Sequence, residues 1–175
     1  MALDVVIRPA RAEDEREIVE LFRSTWSRVS EPGPERPAGA AVFDERHPVE
    51  NYLVAERGRR IVGYIAQAPA SPLETNRHVR HIQGLAVLGS ARGGGVGQAL
   101  VEAVCAAARA AGARRMNLRV LGHNLPAQRL YRRCGFAVVG VLPEEFLLDG
   151  AYVDDVWMSR SLTGPHEPAQ PQTQP

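Results

Sequence analysis

The sequence predicts a single mixed α/β domain, a sheet covered by helices, and three observations lead there. The apolar pattern alternates between strand and helix periods in the order β-α-β-β-β-α-β-α-β-β. A glycine-dense turn, from Gly89 to Gly97, joins a strand to a long amphipathic helix. Near the end, Asp149-Gly150 separates two long strand-like stretches, a dipeptide that favours a two-residue hairpin.

Each element has a local reason. Leu3 to Arg8 reads as a strand, and Pro9 bars its continuation as a central ladder residue. Glu13 to Ser27 carries Ile18, Leu21, Phe22 and Thr25 at helical spacing, with acids in its first turn. Residues 30–39 contain Pro32, Gly33, Pro34 and Pro37 and read as a loop. Tyr52 to Glu56 and Arg60 to Gln67 form a hairpin around Gly58, and Ala68 to Asn76 is a second loop. His78 to Leu88 is the strand before the glycine turn. In the helix after it, Val96, Leu100, Val104, Ala107 and Ala111 recur at three- and four-residue steps until Gly112. Arg115 to Leu121 is a strand, and Asn124 to Cys134 a short helix closed by Gly135. Two strands, Ala137 to Leu148 and Ala151 to Arg160, complete a domain of residues 1–162. Residues 163–175, rich in Pro and Gln, cannot repay the entropy of ordering and are expected to be a disordered tail.

Composition narrows the function classes. With 175 residues and 45% hydrophobic content the core needs no metal or disulfide staple. Cys105 and Cys134 lie in apolar surroundings, which points to a reduced, cytoplasmic protein. No apolar run approaches the roughly 20 residues of a membrane span, and the N-terminus lacks signal-peptide shape. A net charge of +1 argues against nucleic acid as a partner. All 21 basic residues are arginine, which excludes a P-loop lysine and a lysine Schiff base. No His/Cys cluster has metal-ligand spacing, so no metal is expected.

The glycine turn carries the main chemical signal. Residues without side chains let backbone N–H groups approach an anion, and the helix N-terminus adds unpaired donors and a positive dipole end. Arg92 supplies a charge beside them. A pyrophosphate suits this site. The glycines fail G-x-G-x-x-G, since Gln98 or Leu100 falls at the last position, and no G-K-(S/T) follows. A nucleotide-phosphate binder is thereby disfavoured, and a glycine turn without any ligand remains the bland alternative.

The spacing Arg92-x-x-Gly95-x-Gly97 resembles the (Q/R)-x-x-G-x-(G/A) signature of the GNAT superfamily of acyl-CoA-dependent N-acetyltransferases. Asn124-x-x-Ala127-x-x-Leu130-Tyr131-x-x-x-Gly135-Phe136 resembles that family's second hallmark without a gap. Residues 149–158 resemble the end of a subgroup that acetylates small molecules and amino acids. The resemblance covers about residues 3–162, with its specific motifs between 81 and 158.

The resemblance implies a largely antiparallel mixed sheet whose central strand pair splays, flanked by helices. It implies acetyl-CoA as co-substrate and transfer of an acetyl group to a primary amine by direct attack in a ternary complex. Leu85, Ala86 and Val87 would pair with the pantetheine arm, although core packing also explains their side chains. Arg92, Gly93, Gly94, Gly95, Val96, Gly97 and Gln98 would hold the pyrophosphate. Asn124 is accounted for as an N-cap, and the family adds a cofactor-side hydrogen bond.

Tyr131 is the catalytic acid candidate and sits on the cofactor side, because a phenol near pKa 10 stays protonated and can donate to a departing thiolate. The alternative is an aromatic of the helix's apolar face. His81 lies near the position where many members carry a glutamate base. It shares a strand face with Gln83, Leu85 and Val87, and a neutral imidazole can accept a proton. The departure from glutamate leaves a plain sheet histidine as the other reading. Glu144, Glu145, Asp154 and Asp155 either receive an ammonium or are solvated acids. A small amino acid or related amine ranks first as acceptor, a peptide N-terminus second and lysine last, because α-amines near pKa 8 need only a weak base. A homodimer stays open. A non-catalytic acyl-CoA sensor and a protein N-terminal acetyltransferase are the competing functions.

Overall fold

The computed structural model describes residues 4–37 and 39–164. Most of the expected tail, residues 165–175, lies outside the described residues. The elements run β1 (Val6–Pro9), α1 (Glu15–Thr25), β2 (Tyr52–Arg57), β3 (Arg60–Pro69), β4 (Val79–Val87), α2 (Val96–Ala110), β5 (Arg115–Leu121), α3 (Leu125–Arg133), β6 (Ala137–Leu148) and β7 (Ala151–Ser161). Pro9 remains inside β1, one residue beyond the expected end, because β1 is an edge strand.

The strands form one seven-stranded sheet in the order β1-β2-β3-β4-β5-β7-β6. Among the described residues, only the β4–β5 pair is parallel. The chain from β4 to β5 crosses over through α2, as a parallel pair requires.

The two faces of the sheet bury separate cores. On one face α2 and α3 cover Ile65, Ile82, Met116, Leu118 and Met158. On the other, Ile18 and Leu21 of α1 pack on Val54, Tyr64 and Ala66. Gly63 permits the first contact, since a Cβ there would lie 3.0 Å from the Ala86 carbonyl oxygen and 3.1 Å from Leu100 Cδ1. Gly112 (φ +90°) and Gly135 (φ +78°) adopt the left-handed conformation that follows a helix end, as their positions in the sequence predict.

The central strand pair comes apart. β4 and β5 pair only through Val79↔Arg115 to Ile82↔Leu118, and the ladder then stops although both strands continue. At the same point β4 carries an extra residue against β3. Ala66 pairs with Gly84 and Gln67 with Ile82, so Gln83 has no partner. This bulge corrects the regular alternation expected for the strand. Ile82, Leu85 and Val87 pack with the α2 core, whereas His81 meets Trp157 on the opposite face. His81 therefore does not share a face with Leu85 and Val87.

Candidate active site

The opening between β4 and β5 leads into two adjoining cavities. One, of about 650 Å³, is walled by Leu85, Ala86 and Val87 of β4, the glycine turn, and Asn124, Ala127 and Leu130 of the α3 region. The other, of about 500 Å³, lies on the α1 face of the sheet and includes Tyr52, Tyr64, His81, Arg119, Phe146 and Asp155. Phe22, Ser30 and Glu31 line both.

The first cavity is an anion site built from backbone. Gly95 takes φ +84° as the residue before α2, a left-handed turn that glycine adopts without cost. Among the described residues, none of the N–H groups of residues 93–98 donates to a backbone acceptor. The first helical bond runs from Ala99 N–H to Gly95 O at 3.0 Å. Unpaired donors at the positive end of a 15-residue helix suit a pyrophosphate. Gly97 has a packing reason too, since a Cβ there would stand 3.2 Å from Leu130 Cδ2. Arg92 is exposed and donates its Nε–H to Val87 O at 3.0 Å.

The free edge of β4 faces the same cleft. Leu88 donates to Val62 O of β3 at 2.9 Å, so by antiparallel alternation Ala86 also turns its polar groups toward β3. The backbone groups of Leu85 and Val87 point the other way, where β5 has left. Of the three residues expected to pair with an extended ligand, these two turn their N–H groups to the gap, with the Leu85 C=O beside them, while the Val87 C=O already accepts from Arg92.

α3 is fixed in place by its first turn. Asn124 accepts a hydrogen bond from Ala127 N–H at 3.2 Å, the N-cap role its position implies. Buried Gln128 donates to Leu121 O at 3.3 Å and Gly122 O at 2.9 Å, tying the helix to the end of β5. Tyr131 lines neither cavity: it belongs to the core under α2, 7% exposed, its ring 5.8 Å from Phe136. Burial raises its pKa, and the nearby Cys134 and Glu31 add to the rise, so the phenol stays protonated at neutral pH. Cys105 and Cys134 are buried and unbridged, and burial pushes the Cys105 thiol up to about 11.

The second cavity is made of side chains from distant elements. His81 stacks edge-on against Trp157 at 5.9 Å. Burial first, and then Arg119, lower its pKa, against an opposing pull from Asp155. Its imidazole is neutral at pH 7. Arg119 pairs with buried Asp155 at 2.5 Å, lies 3.9 Å from Glu145, and sits over the rings of Trp157 and Phe146 at 5.1 and 5.8 Å. Asp155 is thereby committed to Arg119, and Asp154 Oδ1 accepts from Glu144 N–H at 2.9 Å. Glu144 (φ +53°) lies in a bulge between Leu142 and Phe146.

Glu31, Arg36, Tyr64, Arg119 and Phe146 were not singled out by sequence. Glu31 stands between Ser30 and Pro32, inside a Pro/Gly segment that reads as plain loop, and no spacing marks it. Loss of surrounding water raises its pKa, with Arg36 opposing. Among the described residues, no group of three His, Cys, Asp or Glu side chains is placed to hold a metal ion. No helix there is long and apolar enough to cross a membrane.

The model of the acetyltransferase (GNAT) family matches residues 16–136. Among solved structures, smu.2055 from Streptococcus mutans UA159 is 29% identical, with a TM-score of 0.81 over 90% of this chain and 99% of that one. A GNAT superfamily phosphinothricin acetyltransferase from Sinorhizobium meliloti, in complex with AcCoA, is 24% identical, with a TM-score of 0.76 over 97% of each chain. The ribosomal-protein-S18-alanine N-acetyltransferase of Escherichia coli has the same fold at 15% identity, with a TM-score of 0.72 over 95% of this chain and 99% of that one. No curated protein matches the chain.

Proposed function

We propose that this chain, which belongs to the acetyltransferase (GNAT) family and is an acyl-CoA-dependent N-acetyltransferase, delivers the acetyl group to the α-amine of a small amino acid or related amine. The observation that carries the reading is the junction of the two cavities. A cleft with free strand-edge and helix-end N–H groups opens at Glu31 into an aromatic pocket large enough for a small acceptor. The neighbours named for phosphinothricin and for ribosomal-protein S18 alanine share the fold and leave the choice of acceptor to this pocket.

Acetyl-CoA supplies the activated acyl group. The N–H groups of residues 93–98 and Arg92 hold its pyrophosphate, Asn124 lies alongside, and Leu85 and Val87 pair with its pantetheine arm. An N–H of that edge polarises the thioester carbonyl, where a fixed donor stabilises the developing oxyanion. The neutral amine then attacks the carbonyl carbon and the C–S bond breaks. Tyr131 donates to the leaving thiolate, and His81, neutral by burial, takes the proton that nitrogen sheds. Return of that proton through solvent to Tyr131 closes the cycle. In this reading the protein works in the cytoplasm.

The test is release of free thiol from acetyl-CoA with single amino acids, N-terminal peptides and lysine side chains as acceptors. Specificity constants are expected to fall in that order, since an α-amine near pKa 8 is about a tenth neutral at pH 7 and a lysine amine almost never. A preference for internal lysines would require a stronger base than His81.

A further inference from the structure

We propose that the second cavity is built for a zwitterion: a free α-amino acid whose ammonium is received by Glu31 and whose carboxylate is received by Arg36. The inference rests on the acyl-transfer reading above and narrows its acceptor to one chemical class.

Both residues lie on the segment between α1 and β2, and both line the cavity. Its other charges are already matched. Arg119 pairs with Asp155, and His81 is neutral at pH 7, while the His47 ring is engaged by Asp44 at 2.9 Å. Among the described residues, Glu31 and Arg36 make no ion pair, and the Glu31 carboxylate accepts no hydrogen bond. Arg36 is held without being neutralised. Its Nη1 donates to Ala41 O at 3.0 Å and its guanidinium lies 5.2 Å from the Phe22 ring centre. Glu31 and Arg36 feel each other's charge without touching, and two opposite charges held apart in a half-closed cavity carry a desolvation cost that a ligand bridging them offsets.

The placement also gives the ligand a direction. Glu31 lines the acyl-CoA cleft as well, and Arg36 does not. An ammonium at Glu31 therefore stands on the thioester side, where it releases one proton to solvent before the neutral amine attacks, and a carboxylate at Arg36 stands away from it. The acceptor's side chain is left the aromatic wall of Tyr52, Tyr64 and Phe146. A peptide N-terminus has no carboxylate to place at Arg36, and neither has an amino-acid amide.

The experiment compares the best of the twenty amino acids with its primary amide and its decarboxylated amine, in wild type, Arg36→Gln and Glu31→Gln. Wild type is expected to favour the free acid by at least ~10²-fold in kcat/KM, the scale set by leaving a matched polar group unpaired. Arg36→Gln is expected to bring acid and amide within a few-fold of each other, chiefly through KM, with the KM for acetyl-CoA unchanged. Glu31→Gln is expected to lower kcat/KM for all three amines. Equal use of acid and amide by wild type, or an undiminished preference in Arg36→Gln, would overturn the proposal. So would an equal loss on all three amines in Arg36→Gln, which would mark Arg36 as a structural partner of Glu31. Absence of thiol release with every amine would instead fail the acyl-transfer reading. Calorimetric titration of acid and amide into the CoA-loaded protein then still reads the zwitterion preference.

Discussion

The two cavities meet at the same three residues and are made of different materials. The acyl-CoA cleft is lined by backbone: a strand edge released at Ile82, and six consecutive N–H groups at the head of α2. The acceptor cavity is lined by side chains from the segment after α1 and from β2, β3, β4, β5, β6 and β7. Backbone recognition demands conformations that few residues supply, so it leaves glycines at fixed spacing in one contiguous stretch. Side-chain recognition needs only that the fold bring certain groups together, and it leaves no local pattern. In the proposed reading the common co-substrate is read by the first device and the particular acceptor by the second.

The sharpest way to break this division is to remove the proposed catalytic acid, which a motif supplies. Tyr131→Phe keeps the ring's packing against Phe136 and loses only the hydroxyl. Turnover is expected to fall on the order of 10²–10⁴-fold, with acetyl-CoA affinity nearly unchanged. Wild-type turnover in steady-state assays of the variant would assign thiolate protonation to another group.

The next effect belongs to the acceptor side and concerns stability. Asp155 is 1% exposed and depends on Arg119, whose side chain is 39% exposed. Arg119→Met strands a buried carboxylate and is expected to cost about 3–5 kcal/mol, whereas Asp155→Asn leaves an arginine that water can reach and should cost less. Denaturant unfolding of the two variants checks the order. Equal losses would mean that the pair is not asymmetric.

A smaller effect separates charge from backbone within the cleft. Arg92 is exposed, so Arg92→Ala is expected to weaken acetyl-CoA binding by only about tenfold, and by less as salt rises. Calorimetry at two ionic strengths reads both changes. A loss that salt does not alter would show that Arg92 acts by shaping the turn.

The smallest effect is a pH shift. His81 has a folded-state pKa below its ordinary 6.5, so the unfolded chain binds a proton that the folded chain refuses. Its contribution to stability is full above pH 6.5 and is lost as pH falls through and below that value. Thermal midpoints of wild type and His81→Gln across pH 5 to 8 are expected to diverge only in the acidic range. Parallel curves would remove the basis for a neutral His81 acting as proton acceptor.

Much of the fold was legible because its devices are local. The glycine turn, the Asn124 cap, the Gly112 and Gly135 helix ends and the hairpin at Asp149-Gly150 each leave a signature within a few residues. The face of His81 was not legible, because the bulge at Gln83 is a register event between β3 and β4 that neither strand announces alone. Glu31 and Arg36 were hidden for a different reason. They lie among prolines and glycines in a segment whose composition signals only exposure, and the burial that gives them meaning comes from the sheet face they cover.

The central claim is acetyl transfer to an α-amine, and one measurement tests it most directly: mass-spectrometric detection of N-acetylated product from acetyl-CoA and a mixture of free amino acids, with thiol release followed in parallel. The account predicts an α-N-acetyl amino acid formed in step with free CoA, its rate reduced on the order of 10²–10⁴-fold in Tyr131→Phe. Acetyl-CoA that binds the cleft tightly yet yields no acetylated amine from amino acids, N-terminal peptides or lysines would contradict it.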